Sequence, residues 1–240
     1  MPAPQVYLTV DVEPDCPPYL WTWRGIEEGM PRLLALLDRE RVPVTFFVTG
    51  ATAERYPDMV GGIAARGHEI GCHGYSHGSF ADFGAAEAER EIRTTNAILR
   101  TFGPVRSFRA PYLRFPERYL PLLARDGIAI DASRARYKRK EAPNSAVPQV
   151  RRLAASVPTS LTRLPAPLRT PILLALRNPV VLFFHPWEFV DLTQAPIPRD
   201  CRFRTGQTAL DDLAAVIAHF RARGAKFAYV DSERAAATRP

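Results

Sequence analysis

The sequence predicts one α/β barrel, with parallel strands inside and helices outside, and three observations predict it. Short β-branched, apolar runs alternate with helical stretches, the pattern of a parallel sheet covered by helices. The 240 residues are enough for one large core, a routine length for a single β/α barrel. Asp11, His73, Arg109 and Asp131 fall at the ends of successive predicted strands, where a barrel places its active site.

The elements follow in order. Val6 to Val10 is a buried strand ending at Asp11. Glu13 to Trp23, with three prolines, two tryptophans and a cysteine, is a structured loop. Gly29-Met30-Pro31 opens a helix whose apolar face is Leu33, Leu34, Leu36 and Leu37. Val44 to Val48 is a strand, Ala53 to Arg66 a helix ended by Gly67, and His68 to His73 a third strand. Ala85 to Thr101 is an amphipathic helix stopped by Gly103-Pro104. Val105 to Phe108, a helix over Pro116 to Arg125, and Ile128 to Ile130 ending at Asp131 continue the alternation. Residues 137–178, rich in Arg and Pro, are expected to be an insertion of loops with one short helix near Ile172 to Leu176. Val180 to Phe184 is a buried strand ending at His185; a helix over Thr208 to Arg223 and a strand over Lys226 to Val230 complete one domain spanning 1–240.

Composition narrows the function. Hydrophobic content of 46% and charged content of 24% rule out wholesale disorder. The net charge of +7 permits an anionic partner, but no basic stretch interleaved with aromatics and no recognition helix points to nucleic acid. Cys16, Cys72 and Cys201 are odd in number and far apart, so a reducing compartment is expected. The N-terminus lacks a positively charged segment followed by an apolar one, and no apolar run reaches about 18 residues, so a cytoplasmic protein is expected. The apolar stretch Leu161 to Leu176, with Arg163, Arg169 and Arg177, could rest on an anionic membrane face; an insertion folded onto the barrel is favoured.

Two of the five histidines, His73 and His77, stand four apart among Gly71, Gly74 and Gly78. They can face one metal ion if the loop makes a helical turn, or they are surface histidines. Asp11 and Glu13, two apart at a strand end, point the same way. One can bind metal while the other takes a proton from water; the bland alternative is a solvated acidic loop. Arg109 can tether a carboxylate or be one surface arginine among many. His185, before Pro186-Trp187-Glu188, suits general acid work or a satisfied core position. His68 and His219 are assigned to structure. Trp23, Tyr75 and Trp187, beside these motifs, are the candidate substrate-binding residues.

Together these segments resemble the polysaccharide deacetylase family, carbohydrate esterase family 4. The resemblance rests on Thr9-Val10-Asp11-Val12-Glu13; on His73-Gly74-Tyr75-Ser76-His77 preceded by Gly67-His68-Glu69-Ile70-Gly71; on Arg109-Ala110-Pro111-Tyr112; on Asp131-Ala132-Ser133; and on Leu182-Phe183-Phe184-His185. It covers roughly residues 5–136 and 179–232. The Phe184-His185-Pro186-Trp187-Glu188 ending is similar to members linked to exopolysaccharide synthesis. The resemblance implies a distorted (β/α)7-type barrel and metal-dependent hydrolysis of N-acetyl groups on an amino sugar or polysaccharide precursor, nucleotide- or lipid-linked if the protein is cytoplasmic. It also implies a divalent ion, most often zinc, held by His73 and His77. Asp11 is then the general base held by Arg109, the Tyr112 N–H helps stabilise the oxyanion, and His185, tuned by Asp131, protonates the leaving amine. The family's usual second aspartate is Val12 here, so Glu13 is the implied acidic ligand. Ala110 stands where Pro is common, and Tyr137 where tryptophan is usual. Two alternatives stay open: hydrolysis of another C–N bond (a formamide or cyclic ureide), or a metal-free sugar-binding pseudoenzyme.

Overall fold

The computed structural model describes residues 3–138 and 147–231. The chain divides into two compact units, Met1–Pro43 with Ser156–Ala228, and Val44–Ala155 with Tyr229–Pro240.

The first unit begins with β1 (Gln5–Val12), buried on both faces from Val6 onward, which is why it reads as a continuous apolar run. Asp15 organises the loop that follows. Its carboxylate accepts from the Gly25 N–H (2.8 Å), the Arg24 N–H (2.9 Å) and the Thr22 hydroxyl (2.6 Å). A π-turn over Gly25–Gly29 leads into α1 (Met30–Glu40), which buries the four predicted leucines. Gly29 is the tightest point: a Cβ there would meet the Pro186 carbonyl at 2.1 Å.

The second unit carries β2 (Val44–Val48), α2 (Gly50–Arg55), α3 (Pro57–Ala65), β3 (Glu69–Cys72), α4 (Ala85–Leu99), β4 (Ser107–Phe108), α5 (Leu120–Arg125), β5 (Ile130–Ala135) and β6 (Arg151–Ala155). These strands lie in the order β2-β3-β4-β5-β6, each pair parallel. The single helix expected over Ala53 to Arg66 is two. It starts earlier because the Thr49 hydroxyl caps the Thr52 N–H (3.3 Å), and it breaks at Tyr56, which Pro57 pushes out of helical geometry (φ −131°, ψ 58°). Asp131 lies inside β5 rather than after it; β5 extends to Ala135 because β6 pairs with it, across an irregularity between Asp131 and Arg134.

Residues 137–178 are more regular than expected. Besides β6 they hold α6 (Thr159–Thr162) and α7 (Ala166–Ala175), each preceded by a proline that sets its start. Residues 139–146 of that stretch, and residue 232 of the resemblance, lie outside the described residues. Two of the stretch's arginines behave as the favoured reading, a folded-in insertion, expects. Arg163 and Arg169 are buried; Arg163 donates to the carbonyls of Asp200, Cys201 and Phe203 and pairs with Glu188 (3.0 Å), and Arg169 pairs with Asp212 (2.6 Å). They stitch the first unit together instead of facing outward.

The first unit resumes with β7 (Val180–Phe184), α8 (Arg199–Arg202), α9 (Gln207–Ala222) and β8 (Lys226–Phe227), the last shorter than predicted. β1 lies between β7 and β8, parallel to both, with Val6 opposite Val180 and Gln5 opposite Lys226. Among the described residues no helix is long and apolar enough to cross a membrane.

Candidate functional site

The second unit holds the histidine loop. His73 and His77 are both buried, with ring centroids 5.4 Å apart and planes tilted by 59°. The expected helical turn is absent. The chain leaves β3 and bends through left-handed residues, Gly74 at φ 72° and His77 at φ 61°. Glu91 on α4 fastens the bend, accepting from the Tyr75 N–H (2.7 Å), the Ser76 N–H (3.0 Å) and the Ser76 hydroxyl (2.8 Å). Nothing in the sequence singled out Glu91, one of several acids on that helix.

His73 Nδ1 lies 2.8 Å from the Arg109 carbonyl. A carbonyl can only accept, so Nδ1 carries the proton and Nε2 keeps its lone pair. Tyr75 is engaged elsewhere: its hydroxyl donates to Glu54 (2.7 Å), which raises its pKa, and its ring abuts Gly50. Its polar groups hold the loop rather than offering themselves to a sugar.

The Arg109 guanidinium is wholly buried, 4.4 Å over the Phe47 ring, with Nε donating to the Ala132 carbonyl (3.2 Å). Three residues on, Tyr112 and Leu113 are consecutive non-glycine residues in the left-handed region (φ 59° and 51°). The Tyr112 ring meets His77 edge-on at 4.9 Å. One Asp131 oxygen accepts from the Ser133 N–H (2.9 Å) and the other from Arg152 Nε (2.8 Å).

The first unit holds the acids and the third histidine. Asp11 and Glu13, at the end of β1, are both buried, with Val12 between them fully so. His185 follows β7. Glu188 folds back on it: one carboxylate oxygen accepts from the His185 backbone N–H (2.9 Å) and from Nδ1 (2.8 Å). Nε2 lies 3.8 Å from Glu13. Burial opposes charge on His185, but Glu13, Glu188 and Asp11 outweigh it and raise the imidazole to about 9. Burial likewise pushes Glu188 up, yet Arg163, His185 and the Thr159 hydroxyl together hold it below the usual carboxylate range.

Glu188 thus orients His185 and favours its charged form, a role that sequence reasoning missed. The available signal was a carboxylate three residues after His185 across Pro186, the spacing at which a side chain reaches back to the start of a helical turn. Trp187 is buried and stacks on the His185 ring (4.8 Å, 19°), so it backs the imidazole rather than forming an open platform. Trp23 is half-buried; Tyr19 and Trp21, at 56% and 55% exposure, are the open aromatics of that loop.

The family model described as polysaccharide deacetylase matches residues 1–130. A chitooligosaccharide deacetylase of Sinorhizobium fredii is 35% identical over 130 residues, covering 53% of this chain and 55% of the relative. The chain spans about half the length of the curated relatives it matches. Among solved structures, a peptidoglycan N-acetylglucosamine deacetylase is 25% identical with a TM-score of 0.65, over 95% of this chain and 86% of that one. A family 4 carbohydrate esterase from Streptomyces lividans, solved with acetate, matches with a TM-score of 0.64 at 16% identity, over 95% of this chain and 94% of that one. The fold class is that of these structures, parallel strands flanked by helices, as the sequence predicted.

Proposed function

The chain belongs to the polysaccharide deacetylase family, and from that premise we propose that it removes N-acetyl groups from amino sugars of the chitooligosaccharide or peptidoglycan type, residues 1–240 acting as one catalytic domain. The observation that carries this reading is the buried His73/His77 pair, with His73 Nδ1 committed to a carbonyl so that Nε2 carries the lone pair a ligand needs. His73 and His77 would hold one ion, with Glu13 as the acidic ligand that the family resemblance implies. Two imidazoles and a carboxylate fit a divalent ion of borderline softness, and zinc suits that set best. When bound, the ion supplies Lewis-acid polarisation of the acetamide carbonyl.

This chain's residues would do the rest. Asp11 takes the proton of the attacking water. Arg109, a guanidinium with no access to solvent, is the proposed tether of that carboxylate. The Tyr112 N–H is aimed by two successive left-handed residues, a strain that concentrates at functional sites, and would receive the oxyanion. His185, with Nδ1 fixed by Glu188, presents Nε2 to protonate the departing amine. The contact of Glu188 with His185 Nδ1 supports this assignment.

Released acetate tests the proposal. N-acetylated sugars, free and carried on nucleotide or lipid, are incubated with the protein, with Asp11→Asn as control. Acetate from the wild type alone supports the reading. A protein that retains no stoichiometric metal and releases none would sink it and favour a pseudoenzyme or another C–N hydrolase. A stoichiometric ion that disappears in His73→Ala supports the ligand set.

A further inference from the structure

Two of the three cysteines meet. Cys16 lies in the loop after β1, and Cys201 on α8, 185 positions later. Cys16 belongs to an apolar cluster with Trp187, Val190, Leu192 and Ile197, and Cys201 packs against that cluster. The loop presents Cys16 rigidly. Its φ is 43°, and its carbonyl accepts from both the Tyr19 N–H (3.0 Å) and the Leu20 N–H (3.3 Å). Cys201 is partly exposed while Cys16 is buried. The fold thus brings together two thiols that lie far apart in sequence.

We infer that Cys16 and Cys201 are a reversible dithiol–disulfide pair, closed by exchange with a small-molecule disulfide. Cys201 is the entry point. It is the reachable thiol, and Cys16 beside it, with His185 and Arg163 nearby, favours its thiolate over its acid. Its sulfur attacks one sulfur of the small disulfide, breaking that S–S bond and releasing one small thiol. Cys16, as thiolate, then attacks the Cys201 sulfur of the mixed disulfide and releases the second. Two protein thiols are oxidised, one small disulfide is reduced to two thiols, and the two protein protons end on those thiols.

The closed bond would join the Trp21 loop to the segment whose carbonyls hold Arg163, and through Arg163 to Glu188 and His185. Cys72, fully buried, lies outside the pair.

The test incubates the whole folded chain with oxidised glutathione, blocks remaining thiols, and maps unreduced peptides by mass spectrometry. The expected product joins the Cys16 and Cys201 peptides with loss of two hydrogens, reverts with dithiothreitol, and raises the melting temperature of the wild type. Cys201→Ser, at a partly exposed position, should give neither cross-link nor glutathione adduct; Cys16→Ser should stop at glutathione on Cys201. Glutathione persisting on wild-type Cys201 without a cross-link, a bond between Cys201 of two chains, or a bond to Cys72 would overturn the inference.

Discussion

At the scale of single residues, Glu188 bears the most weight. It is fully buried, and its two oxygens serve His185 Nδ1, the His185 N–H, the Thr159 hydroxyl and Arg163. A buried charge pair tolerates replacement of both partners far better than loss of one. Glu188→Ala strands the Arg163 guanidinium, and urea unfolding should show a loss of about 3–5 kcal/mol. Deacetylase turnover should fall by about 10²-fold or more as His185 loses its orientation. A variant with unchanged stability would show that the pair is dispensable. His73, Asp11 and His185 were legible as candidates because each ends an apolar run, and His77 because it stands four residues from His73. Glu188, Glu91 and Asp15 were not: each acts by reaching back to backbone N–H groups, and that reach depends on a turn no periodicity announces.

At the scale of an element, β3 explains a pH dependence. Its first residue, Glu69, is buried and accepts from the Thr45 and Ser107 hydroxyls (2.6 Å each) and from the Asp231 N–H (3.1 Å). Burial, helped by Asp231, outweighs those bonds and holds Glu69 above the ordinary carboxylate range. A carboxyl raised in the folded state contributes its stability below the unfolded-state pKa and loses it as pH rises through the folded value. The melting temperature should therefore decline as pH climbs from the ordinary glutamate range toward the raised one, and Glu69→Gln should flatten that part of the curve. An identical slope in the variant would assign the dependence to another group. Strands buried on both faces, Val44–Val48 and Val180–Phe184, were legible to the residue. β6 was not, because Arg151 and Arg152 disguise a strand whose arginines reach the Val230 carbonyl, Glu117 and Asp131.

At the scale of the whole molecule, ligation couples to unfolding. A ligand that binds only the folded chain stabilises it by mass action, about 2.7 kcal/mol at one hundred times its dissociation constant. Adding zinc should raise the melting temperature and chelation should lower it, while His73→Ala should melt at one temperature under both conditions. A wild type indifferent to chelator would count against a structural contribution of the ion. The barrel was legible at this scale because alternation of strand and helix is a property of the whole chain and survives errors at any one boundary. Its division into units was not, since the first unit is assembled from segments far apart in sequence.

That discontinuity bears on how the protein is made. β1 is synthesised well before its partners β7 and β8, which begin at Val180 and Lys226. Residues 44–155 can pair β2 through β6 among themselves while the ribosome is still working. Until β7 emerges, Val6, Leu8 and Val10 belong to a strand without those neighbours, in a nascent chain vulnerable to wrong partners. The residues that carry the acids, Asp11 and Glu13, are thus translated early and settled late. A chain released before β7 would hold its histidine loop but lack the strands that seat its acids.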